Sequence, residues 1–192
     1  KTFTEKNLKI TNCPTETKII ISNKKKEIVL KKINKNKKNI IIGAGSSGPT
    51  TKWGELNFIN LINKLNKTKD CFFYILCGPN ENSIAEKIIN NVDQNNCASL
   101  SSKTIEEIIP IISVCDMYIG NDSFGHHVAS QCSIPSIIIL LDTPKAYSDY
   151  SKNQFRILPE GISIEDINHD SKFSPDKIGV DSVFKKALFF LN

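Results

Sequence analysis

Arginine occurs once in this chain, at Arg156, among 25 basic residues. Planar, two-pronged clamping of phosphate or guanine is therefore nearly unavailable, which argues against sequence-specific nucleic-acid binding. Paired cysteines are also missing. Cys13, Cys71, Cys77, Cys97, Cys115 and Cys132 contain no CxxC pair and no zinc spacing. They read as small thiols in or beside apolar runs in a reducing compartment, with Cys13 standing apart; a disulfide framework is the alternative in an exported protein. No apolar run approaches the ~18 residues of a membrane span. The opening Lys1-Thr2-Phe3-Thr4-Glu5-Lys6 has no apolar stretch after its charge, so it is not a signal peptide. These absences predict a cytoplasmic protein. The single methionine is Met117, and Lys1 at the start implies a piece of something longer.

What is present is globular: 40% hydrophobic and 23% charged residues over 192 positions, enough to bury a core without disulfides or structural metal. The charge is uneven. Residues 1–38 hold 12 Lys and 3 Glu, a net of +9, while the rest holds 13 basic and 17 acidic groups, a net of −4. Two parts are expected: a basic connector or leader over 1–38 and a mildly acidic globular domain over 39–192. The leader reads as a solvated, lysine-rich connecting segment, with contact to nucleic acid or to an anionic membrane face as its other uses.

Hydrophobic patterning organises the chain. Lys18–Ser22 reads as a short strand, and the segment around Ile28-Val29-Leu30 as a weak amphipathic helix. From Ile40 strands and helices alternate. Strands are predicted at 40–42, 71–77, 97–100, 116–120 and 136–141, and helices at 55–65, 82–92, 104–114 (kinked at Pro110), 123–132 and 180–191. This run predicts an α/β fold, a doubly wound parallel sheet with helices on both faces. Residues 142–174 read as a long Tyr-, Ser- and Pro-rich loop, and loops of that length are often functional.

Ligands of such sheets bind at the carboxyl ends of the strands, and three loops there are chemically loaded. The first is Gly43-Ala44-Gly45-Ser46-Ser47-Gly48-Pro49-Thr50-Thr51-Lys52-Trp53. Its small residues let backbone amides and hydroxyls cradle a phosphate, and Lys52 adds a charge. Gly43, Gly45 and Gly48 spell GxGxxG, but Pro49 delays the helix and strand 71–77 ends in Cys77-Gly78-Pro79 without an acid for a ribose. A noncatalytic nucleotide- or NAD(P)-binding Rossmann domain stays open as the alternative. GxxxxGK[ST] is not satisfied. The second loop, Cys77–Glu81, puts Glu81 at a helix start, where it serves either the dipole or a ribose hydroxyl. The third, Gly120-Asn121-Asp122-Ser123-Phe124-Gly125-His126-His127, joins strand to helix. Asp122 or Ser123 can cap that helix, leaving amides 123–125 as an anion site. Neighbouring helical residues point about 100° apart, so His126 and His127 are not expected to chelate one metal.

The order of these blocks resembles the C-terminal half of the family-nine glycosyltransferases, the ADP-heptose:lipopolysaccharide heptosyltransferase family. It runs Gly-Ser loop with Lys52-Trp53, Gly78-Pro79-x-Glu81, Thr104-x-Glu106-Glu107-Ile108, Asp116-x-Tyr118-Ile119-Gly120-Asn121-Asp122-Ser123…His127-x-Ala129, then Ile134-Pro135. The match covers about residues 40–145. The resemblance implies the donor-binding, Rossmann-like half of a GT-B enzyme, with residues 1–38 as the interdomain connector. It implies a nucleotide-sugar donor, such as ADP-heptose, transferred to a glycan or lipopolysaccharide-type acceptor at the inner face of the membrane, with no cofactor and no metal. Ser46, Ser47 and Lys52 would meet the donor's phosphates or sugar, and Glu81 its nucleoside. Asp122, Ser123, Gly125 and His127 would line the diphosphate and the transferred sugar. Lys52 and His127 would stabilise the leaving group. The family's general base is a carboxylate of an N-terminal acceptor-binding half, so no residue here takes that role. The chain departs from the family at Phe124, where glycine is usual, and in the tract Thr143–Tyr150, which suggests a divergent branch with a different sugar.

Overall fold

The computed structural model describes residues 2–13 and 16–192; Lys1, where the expected leader opens, lies outside them. Seven helices and six strands follow in the order α1 (Thr2–Leu8), α2 (Asn23–Leu30), β1 (Lys38–Gly43), α3 (Glu55–Asn66), β2 (Cys71–Leu76), α4 (Asn82–Ile89), β3 (Cys97–Ser99), α5 (Ile105–Ile112), β4 (Met117–Asn121), α6 (Phe124–Gln131), β5 (Ser136–Ile139), β6 (Gln154–Ile157) and α7 (Val180–Leu191). All strand pairs are parallel, in spatial order β3-β2-β1-β4-β5-β6. The chain winds outward from β1 through β2 to β3, then returns to lay β4 on the other side of β1. The predicted doubly wound sheet is observed, and its strand order reverses between β1 and β4.

Alternation along each strand builds the two faces. Ile40 and Ile42 enter one core with Trp53, Phe58, Leu61 and residues of α7, whereas Ile41 enters the opposite core with Tyr74, Tyr118, Ile108 and Val128. Helices α3, α4 and α7 therefore cover one face, and α5 and α6 the other. Strands buried on both sides need nearly continuous apolar sequence, which Ile40–Ile42 and Ile137–Ile139 provide.

Two sequence expectations are corrected here. Residues 18–22 form no strand; this stretch lies on the second core through Ile19, whose amide donates to the Gln131 carbonyl at 3.1 Å. The expected loop 142–174 contains β6, a parallel edge strand paired to β5 with Ile138 opposite Arg156. Four residues, a buried glutamine and three half-covered side chains of which two are apolar, give no run to detect. Elsewhere the differences are at the ends, as where β5 stops at Ile139 rather than Leu141.

The six cysteines are free thiols. Burial pushes Cys71 up to about 11 and Cys77 and Cys97 to about 12, so these are uncharged packing groups at neutral pH. Among the described residues, no helix is long and apolar enough to cross a membrane.

Candidate functional site

The register brings the carboxyl ends of β2, β1, β4 and β5 to one rim: Gly43 lies opposite Leu76 and Gly120, and Asn121 opposite Ile139. The three loops picked out in the sequence leave from this rim at the point where strand order reverses. A cleft of about 500 Å³ opens there, lined among others by Gly45, Ser46, Ser47, Gly78, Glu81, Ser123, Phe124 and Gly125. Residues of the next loop and α5, among them Thr104, Ile105 and Ile108, form its apolar wall.

The β1 loop is pinned rather than loose. Asn121, fully buried at the end of β4, accepts from the Trp53 amide at 3.0 Å and donates to the Ala44 carbonyl at 2.8 Å. Trp53 is itself fully buried, meets Phe58 edge-on at 5.0 Å and donates its indole N–H to the Ile178 carbonyl at 2.8 Å. The Lys-Trp pair thus divides its labour: Trp53 anchors the loop, and Lys52 reaches toward the cleft.

Lys52 and Glu81 meet there, Nζ to Oε1 at 2.6 Å. Glu81 does not cap its own helix. Its carboxylate turns back to accept from the Gly78 amide at 2.9 Å and the Ser46 amide at 3.2 Å. Burial works to raise its pKa, and the Lys52 hydrogen bond with the two amides outweighs that and holds the group below the ordinary carboxylate value. Gly45 is required for this arrangement: a Cβ there would lie 2.2 Å from Glu81 Oε2 and 2.9 Å from the Cys77 backbone. A side chain at Gly125 would run into the buried Tyr118 ring at 2.6 Å, so the first turn of α6 can sit against the sheet only with glycine.

At the β4 rim Ser123 is the N-cap of α6, and its amide points at His126 Nδ1, 3.2 Å away, closing a capping box. The same Nδ1 lies 3.0 Å from Asp122 Oδ1. One nitrogen cannot serve both: it either carries a proton toward Asp122 or accepts the Ser123 amide. The expected anion site at amides 123–125 is therefore corrected, because the Ser123 amide faces histidine and the amides of Phe124 and Gly125 remain as the first turn's unpaired donors. Burial would raise the Asp122 carboxyl; the hydrogen bond and charge of His126, then the Thr143 hydroxyl and His127, win and hold it low.

The expectation that the two histidines diverge is also corrected. Their ring centroids are 3.8 Å apart, and both face Asp122, with His127 Nε2 at 3.8 Å from Oδ1. Asp122, His126 and His127 have ligand-type atoms within 4.8 Å of one another, spacing that could hold a metal ion. A metal would have to take His126 Nδ1 from the helix cap. Burial and the neighbouring His126 push His127 down to about 4, so near pH 7 it is a neutral hydrogen-bonding ring, not a cation. Its Nδ1 pairs with the Tyr150 hydroxyl at 2.5 Å.

All the residues picked from sequence thus gather at one rim: Ser46, Ser47, Glu81, Ser123 and Gly125 on the cleft, Lys52 through Glu81, and Asp122 and His127 just behind Ser123. Ser46 links the halves, its hydroxyl donating to the Asp122 carbonyl at 3.3 Å. Sequence reading quoted Thr50, Thr51, Asn121 and Tyr150 within loops but gave none of them a role of its own, and it passed over Asp142. Thr51 donates to Ser46 Oγ at 2.5 Å, and Thr50 donates to Asp142 Oδ2.

A parallel sheet of this order, with Gly-rich and helix-capping loops at its switch point, is the architecture of a Rossmann-like half of a GT-B glycosyltransferase. Residues 2–162 match the family model of Glycosyltransferase family 9 (heptosyltransferase), and the chain belongs to that family. It is 28% identical over 179 residues to lipopolysaccharide heptosyltransferase 1 of Campylobacter coli, covering 88% of this chain and 52% of that protein. In structure it is similar to the E. coli ADP-heptose lipopolysaccharide heptosyltransferase II (TM-score 0.75, 16% identity, 91% of this chain and 53% of that one). It is also similar to a family 9 glycosyl transferase of Veillonella parvula (0.77, 15% identity, 95% and 56%) and to an E. coli heptosyltransferase solved with ADP (0.74, 15% identity, 97% and 53%). The chain spans about half the length of these relatives.

Proposed function

We propose that this chain is the donor-binding half of a glycosyltransferase that moves a sugar from a nucleotide diphosphate to a glycan or lipopolysaccharide-type acceptor. One observation carries the reading: a cleft of about 500 Å³ at the switch point, with small-residue loops on one side and the amide-bearing first turn of α6 on the other. Ser46, Ser47, Gly125 and the amides of the first turn receive the diphosphate, and the apolar wall by Ile105 and Ile108 receives the base. Glu81 takes the nucleoside's hydroxyls, and Asp122, Ser123 and His127 face the sugar. Lys52 swings from Glu81 to the phosphates as negative charge arrives. The diphosphate then leaves against Lys52, helix amides and the neutral His127, with no metal or other cofactor. Family relatives solved with ADP or named for ADP-heptose support that donor. A second half carrying the base and the acceptor pocket completes the enzyme, joined through a connector at 1–38 to the domain at 39–192. The lysine-rich connector lies near the inner face of a membrane in the cytoplasm.

Calorimetric titration of the chain tests this. ADP and ADP-heptose are expected to bind, NAD is not, and Asp122→Ala is expected to weaken ADP-heptose by roughly a hundredfold. Preference for NAD, or silence toward every nucleotide, would sink the reading.

A further inference from the structure

Asp142 is an acid in a place where the fold does not need one. It follows β5 by three residues, at the rim that carries Asp122, and is 6% exposed. Among the described residues its side-chain partner is the Thr50 hydroxyl, on Oδ2. Oδ1 is buried and has no partner. A carboxylate oxygen taken from water without a donor is costly, and a fold that keeps one is holding it for something.

Its neighbours narrow what that is. Thr50 and Thr51 are adjacent in the β1 loop; Thr51 reaches Ser46, and Ser46 reaches the Asp122 backbone. Thr143, next in the chain to Asp142, lies beside the Asp122 carboxyl. Asp122 Oδ1, by contrast, lies 3.0 Å from His126 Nδ1, so the oxygen left unclaimed is that of Asp142. One acceptor-only oxygen at this rim, Asp142 Oδ1, thus waits for a donor. Carboxylates accept paired hydroxyls of a polyol well and repel a carboxylate or phosphate.

We propose that Asp142 is a specificity-determining residue for the transferred sugar: its free oxygen accepts a sugar hydroxyl and, with Asp122, selects neutral polyhydroxylated sugars over acidic ones. The assignment rests on the cleft being the donor site. Thr50, bonded to the other oxygen, fixes the carboxylate's orientation, so Asp142 reads the sugar without touching the nucleotide.

The test is calorimetry on the full chain with ADP and ADP-heptose, followed by competition between ADP-glucose and ADP-glucuronate. Asp142→Asn keeps the shape and an acceptor for Thr50 but puts a donor or a weaker acceptor toward the sugar. ADP affinity is expected to stay within about twofold, and ADP-heptose affinity to fall roughly tenfold. Equal affinity of wild type and variant for ADP-heptose overturns the assignment while leaving the donor site standing. Loss of ADP along with ADP-heptose also overturns it, since Asp142 would then only brace the β1 loop. Failure of the wild type to bind ADP or ADP-heptose removes the donor reading itself, and this proposal with it. Should the variant fold poorly, the wild type alone decides. ADP-glucose is expected to outcompete ADP-glucuronate by at least about tenfold, and equal competition overturns the proposal.

Discussion

The two sides of the rim spend their polar groups in opposite ways. On the β1–β2 side, the Glu81 carboxylate serves two amides and a lysine, and the β1 loop is pinned through two of its backbone groups by Asn121 from the end of β4. On the β4–β5 side, Asp142 Oδ1 is buried without a partner, and Asp122 and the Ser123 amide compete for one histidine nitrogen. Both sides come from the same architecture, so the sheet alone does not explain the difference. A satisfied network is rigid in the absence of ligand; an unsatisfied one becomes complete only when something fills it. The first side reads as a preformed cradle, and the second as the part whose chemistry depends on what is bound.

That contrast breaks if the first side turns out soft. Trp53→Ala removes a fully buried indole together with its bond to Ile178, and is expected to cost about 3–5 kcal/mol in urea unfolding. A loss under about 1 kcal/mol would mean the β1 loop is held by something else. Glu81→Ala strands the Ser46 and Gly78 amides and frees Lys52, and about 2 kcal/mol of stability should go with it. Asp142→Ala is expected to cost less than about 1 kcal/mol, because it deletes an unpartnered oxygen and its partner Thr50 is exposed to water. If the two acids cost the same, the distinction between cradle and reading site fails.

The sheet was legible because its central strands are buried on both faces and must be largely apolar; Ile40–Ile42, Cys71–Cys77 and Ile137–Leu141 show as unbroken runs. Strand β6 escaped because an edge strand bearing Arg156 needs no such run. The site loops were legible where backbone demands fixed residue type, as at Gly45, Gly125 and Ser123. What sequence could not give was pairing across the rim. Lys52 with Glu81, and Thr50 with Asp142, are 29 and 92 residues apart and meet only because β1 lies between β2 and β4. The histidine pair misled for a local reason: the helical-wheel angle describes where side chains leave the backbone, and the torsions beyond Cβ turned both rings onto Asp122.

The smallest effect sharpens the comparison in acid. His127 titrates near 4 in the fold and near the ordinary 6.5 when unfolded, because burial and His126 oppose its charge. A histidine lowered in this way stabilises the fold above pH 6.5, and that contribution is lost as pH falls from 6.5 toward 4, where the unfolded chain takes the proton first. The ring is partly exposed, so the loss by pH 5 is expected to be about 1 kcal/mol after screening. His127→Gln should remove that acid slope without touching the plateau at pH 7 to 8. Glu81 has a lowered pKa as well, so its contribution fades only below the ordinary carboxylate range. The β4 rim therefore loosens at a higher pH than the β1–β2 cradle, and amide exchange at pH 5.5 is expected to rise first near His127 and Tyr150.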